Sequence, residues 1–77
     1  MSLEEKKKMS KSVEYMWVVK KSGRYVQKIV NSQYEWVYDI NKAHRYLTQR
    51  DAEFIAKRCN GFAVLCKVTN EGVFEGE

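Results

Sequence analysis

Lys20, Lys21, Arg24 and Lys28 fall in one short stretch of the chain, and cations grouped in that way can hold phosphates. Just downstream, Tyr34, Trp36 and Tyr38 recur with a period of two, which puts all three rings on one side of an extended strand. Rings presented on a strand can stack bases, so the two groups together form a candidate nucleic-acid contact. The same rings could instead pack under a helix, where they would bury apolar area that a short chain needs. A second constellation is Arg50, Phe54, Lys57 and Arg58. On a helix the cations stand at i−4, i+3 and i+4 from the aromatic, the composition of a protein contact hot spot. This is the candidate partner contact, for an acidic partner or a second subunit. The alternative is that Phe54 folds under residues 40–47 and packs on Tyr46 or Leu47.

Groups that could carry a reaction are sparse. Nucleophilic catalysis needs a nucleophile beside a base. His44, the only histidine, has no partner recognisable in the sequence. A structural zinc site takes four ligands, and Cys59 and Cys66 form no Cys-x-x-Cys pair. Gly23, Gly61, Gly72 and Gly76 are isolated, so no glycine-rich phosphate loop exists. No catalytic residue, cofactor or metal is assigned, and the expectation is a protein that is not an enzyme.

The chain has 77 residues and a net charge of +4, enough for one small domain. Residues 1–13 carry four Lys against two Glu; residues 14–69 carry ten Lys or Arg against five acids; residues 70–77 carry Glu71, Glu75 and Glu77. The body is therefore basic and the end acidic. No apolar run approaches the ~20 residues that span a bilayer, and the polar start does not resemble a signal peptide. The expectation is a cytoplasmic protein without a membrane partner and with reduced thiols.

The positioning elements follow from the apolar spacing. Residues 15–20 and 25–30 are rich in aromatic and β-branched residues around Ser22-Gly23, which predicts a hairpin. In that register Val19 faces Val26, Trp17 faces Lys28 and Tyr15 faces Val30; Met16, Val18, Tyr25 and Ile29 take the other face. Residues 34–39 make a third strand. Asp39 caps a short helical turn through residues 40–47, and Thr48 caps a second helix with Asp51 at its N3 position. Ala52, Ile55, Ala56 and Cys59 form the core stripe of that helix, and Gly61 closes it in a left-handed conformation. Residues 62–68 make a buried strand.

The order β-β-β-α-β predicts a two-layer α+β domain over residues 13–70. Its four-stranded mixed sheet has the order 3-2-1-4, the last strand parallel to the first, and one main helix lies on one face. Residues 1–12 are expected as a flexible basic tail and residues 71–77 as an acidic one. One helix covers one face, so the other is expected to stay partly apolar and to meet a partner or be shielded by long side chains.

Taken in series, Tyr15-x-Trp17-Val18-Val19, Ser22-Gly23-x-Tyr25-Val26, Tyr38-Asp39-Ile40-x-Lys42-Ala43, Asp51-Ala52-Glu53-x-Ile55-Ala56 and Gly61-Phe62-Ala63-Val64 resemble short uncharacterised proteins of phages and prophages of low-GC Gram-positive bacteria. The resemblance covers residues 15–68. It implies a small α+β fold with no assigned activity, in a bacterial host cell. The expected function is a small interaction protein that binds a protein partner or itself. The alternative is a basic nucleic-acid-binding module that uses the hairpin cations and the strand aromatics.

Overall fold

The computed structural model describes residues 13–76, so the expected N-terminal tail lies outside the described residues. Strands β1 (Glu14–Lys21) and β2 (Arg24–Val30) form the predicted hairpin. Lys21 stands opposite Arg24, and Ser22 and Gly23 turn the chain with φ of 52° and 78°. Both central residues are left-handed, the twist that a two-residue hairpin loop requires. A second left-handed pair, Asn31-Ser32, leads into β3 (Gln33–Val37).

The chain then makes a 3₁₀ turn over Ile40–Lys42. The Asp39 carboxylate accepts from the Asn41 amide at 2.9 Å, which holds the Asp39 carboxyl below its usual range. Helix α1 (Gln49–Cys59) follows, and Thr48 Oγ1 accepts from the Asp51 amide at 3.2 Å, as the capping pattern predicts. Strands β4 (Phe62–Thr69) and β5 (Gly72–Glu75) complete the fold.

The sheet differs from the expected one. Among the described residues it has five strands in the order β3-β2-β1-β4-β5, and every pairing is antiparallel. Residues 40–47 cause the difference. They are helical only as far as Lys42, after which residues 44–46 run extended between β1 and β2. Trp17 and Tyr46 exchange both backbone hydrogen bonds, at 2.9 and 2.7 Å, and the His44 amide donates to the Val26 carbonyl at 3.0 Å. This return adds one reversal of chain direction before the helix, so β4 enters antiparallel to β1 rather than parallel. The insert also parts the hairpin: β1 and β2 pair only at Lys20–Tyr25 and Lys21–Arg24, and Trp17 meets Tyr46 instead of Lys28.

Three further expectations are corrected. The segment expected as an acidic tail holds β5, whose Val73 is buried opposite Val68. Asn60, not Gly61, takes the left-handed cap of α1 at φ 61°. Gly61 is fixed by space, since a Cβ there would lie 2.8 Å from the Lys20 carbonyl oxygen. A bulge between Val26 and Lys28 moves Ile29 to the helix-bearing face, opposite Tyr34, and away from Val18 and Tyr25.

Two apolar clusters fill the two faces. Under α1, Val19 and Val26 pack with Ala52, Ala56 and Cys59, and Trp17, Tyr34, Trp36 and Ile55 close around them. On the other face Val18, Tyr25, Cys66 and Val73 meet Ala43, with Met16, Val37 and Ile40 around them. That second face is not the open apolar surface expected from a single helix. The 3₁₀ turn lies across it, and Asn41 Oδ1 accepts from the Val73 amide at 2.9 Å.

Candidate protein-contact surface

The hairpin cations divide between the two faces of the sheet, Lys21 and Arg24 opposite each other on the helix-bearing side and Lys20 and Lys28 on the other. Lys20 pairs with Glu75 at 2.6 Å, on the face away from α1. Lys21 Nζ donates to the Cys59 carbonyl at 2.9 Å, at the negative end of the helix. The Arg24 guanidinium lies 5.8 Å from the centre of the Trp36 ring, and Lys28 is 3.9 Å from Glu35. Each cation thus has an acceptor or ring within the fold. The strand aromatics Tyr34 and Trp36 are half-buried. Tyr34 and Trp36 pack toward α1 with ring centres 6.2 Å apart, while Tyr38 lies beyond β3 and is 78 % exposed.

The helix constellation keeps its solvent position. The core stripe Ala52, Ala56 and Cys59 faces the sheet, which turns Phe54 outward, 60 % exposed. Arg58 covers the ring, with its guanidinium carbon 5.2 Å from the ring centre. Arg50 and Lys57 lie on the far slope beside Glu53 and Gln49, which hydrogen-bond each other at 2.9 Å. Phe54 does not fold under residues 40–47, because those residues are drawn into the sheet.

On the near slope Arg58 also borders a groove between α1 and the β2–β3 hairpin. Two adjoining hollows that share Ile29 and Ile55 make it up: one is completed by Tyr34, Ser32 and Arg58, the other by Tyr46, His44 and Lys28. The groove exists because residues 44–46 hold the far part of β2 away from β1. Ile29 was not legible as a member of this site. Its only signal is the Val26-Gln-Lys-Ile29 spacing, which breaks strand alternation and marks a bulge once it is known that both residues face the helix.

His44 is exposed and meets the Tyr46 ring edge-on, with centres 4.5 Å apart. Cys59 and Cys66 are unpaired and buried, and burial raises the Cys66 thiol pKa. Among the described residues no group of three His, Cys, Asp or Glu side chains could hold a metal, and no helix is long and apolar enough to cross a membrane. Comparison with protein-family models, curated proteins and solved structures finds no match.

Proposed function

We propose that the chain is a small non-enzymatic interaction protein, of the phage or prophage kind that its sequence resembles, and that it binds a protein partner through the outer side of α1. The observation that carries this reading is Phe54, a large apolar ring left 60 % exposed in mid-helix and covered by the Arg58 guanidinium. Aromatic and Arg side chains are the residues that most often dominate binding energy at protein interfaces. Two unpaired thiols suit a reducing compartment, which supports action inside the host cell. The interaction reading is preferred to the nucleic-acid alternative because the hairpin cations divide between the two sheet faces and Tyr34 and Trp36 pack toward the helix.

The test uses the intact chain and its Phe54→Ala variant as baits in an extract of the source cell, beside a gel-shift titration with single- and double-stranded DNA at several salt concentrations. A protein retained by the first bait and lost from the second, at an unchanged melting temperature, is the expected result. A DNA shift with a steep salt slope and no Phe54-dependent protein would overturn the reading.

A further inference from the structure

Resting on the interaction reading above, we infer that the groove between α1 and the β2–β3 hairpin is the docking site itself, and that its occupant is an acidic amphipathic peptide segment of a partner protein. The groove surface offers Ile29, Tyr34, Ile55 and Tyr46 as an apolar strip, and Ile29 remains 40 % exposed in the free chain. Arg58 is the charged residue at the Ser32 end of the groove, while Lys28, at the other end, pairs with Glu35 on the opposite side of the strand. The far slope of the helix differs, since there Glu53 stands among Arg50 and Lys57 and offsets them.

A segment that fits such a groove has one or two apolar anchors for the strip and a carboxylate beside them for Arg58. A helix or a strand of a partner can present that pattern. Phe54 extends the contact over the crest of α1, because Arg58 touches the ring on one side and borders the groove on the other. Burial beneath a partner would strengthen the Arg58–carboxylate attraction relative to open water.

The experiment selects peptides of about 16 residues from a displayed random library against the immobilised chain, a length that spans a helix-in-groove contact. The enriched peptides are then synthesised and titrated into the labelled protein by NMR. Peptides rich in Asp and Glu around apolar anchors are expected, with amide shifts centred on Ile29, Tyr34, Ile55 and Arg58. Arg58→Glu and Ile29→Ser, both at solvent-facing positions, should each weaken binding roughly tenfold or more while the fold's NMR spectrum is kept. Peptides that bind elsewhere, or without acidic enrichment, overturn the groove while the interaction reading stands. No enriched peptide, together with no Phe54-dependent protein capture, overturns both.

Discussion

Tyr25 Oη donates to Glu75 Oε2 across the open side of the sheet, although β2 and β5 stand three places apart in strand order. In a flat sheet, three steps of about 4.8 Å would hold those strands roughly 14 Å apart. Their contact therefore records how far the sheet curls, and Lys20 completes it with an ion pair to the same carboxylate oxygen at 2.6 Å. The hydrogen bond from Lys20, then that from the Tyr25 hydroxyl, and last the charge of Lys20 hold the Glu75 carboxyl below its usual range.

The first prediction is acid sensitivity that passes through Glu75. A carboxyl depressed by folding stabilises the fold above its unfolded pKa, near 4.5, and that contribution is lost as pH falls through the folded value. Stability of the intact chain should decline below about pH 4.5, and Glu75→Gln should flatten part of that decline while lowering stability at neutral pH. Tyr25→Phe should cost about 1.5–3 kcal/mol, the net worth of one hydrogen bond to a charged group. Urea melts at several pH values measure both, and an unchanged acid limb in Glu75→Gln would show that the latch does not form.

Removal of residues 72–77 should destabilise the domain. Val73 is 5 % exposed, and burying such a side chain is worth about 2 kcal/mol. Its loss also uncovers Cys66 and strips β4 of its outer neighbour. A fall in melting temperature of about 10 °C or more is expected for a chain of this size. A thermal melt that does not move would return these residues to the status of a tail.

Gly61→Ala and Gly23→Ala should differ in kind. The added methyl at Gly61 meets the Lys20 carbonyl oxygen at 2.8 Å and crowds Cys59 Sγ at 3.3 Å, so backbone must shift, at a cost of about 1–3 kcal/mol. At Gly23 nothing lies within 4 Å, and only φ of 78° is strained, at about 1 kcal/mol. Denaturant midpoints of the two variants check the order.

The local elements were legible because local residues determine them. Ser22-Gly23 set the turn, and Thr48 with the Ala52–Ile55–Ala56–Cys59 spacing set the helix and turned Phe54 off its core stripe, although whether residues 40–47 would cover that ring stayed open until the fold showed it exposed. The sheet was not legible, because two decisive pieces carry weak local signals. β5 has only Val73 and Phe74 as apolar residues, too few to announce a strand, and what holds it is Val68 opposite and Asn41 far back in the chain. Residues 44–46 show no strand alternation at all. Their extended form is imposed by Trp17 and Val26, and nothing near His44 in the sequence reveals those partners.

The last prediction reads that insert directly. If residues 43–47 continued the helical turn, successive amides would all bond back along the same segment and exchange slowly together. In the observed arrangement alternate amides turn to different strands. The His44 amide donates to Val26 and the Tyr46 amide to Trp17, and Tyr46 is half-buried beside the helix. Hydrogen exchange should therefore be slow at His44 and Tyr46 and fast at Arg45 and Leu47. A cross-strand proton contact between Trp17 and Tyr46 should accompany it in NMR spectra. Tyr46→Pro, which removes one donor of that bridge, should lower stability and also loosen Val26, because the same insert holds β2 in place. Leu47→Pro, at an exposed position, should cost less. Uniform protection from residue 43 to 47 would show a helical turn, return β1 and β2 to a full hairpin and close the groove that the splayed strands create.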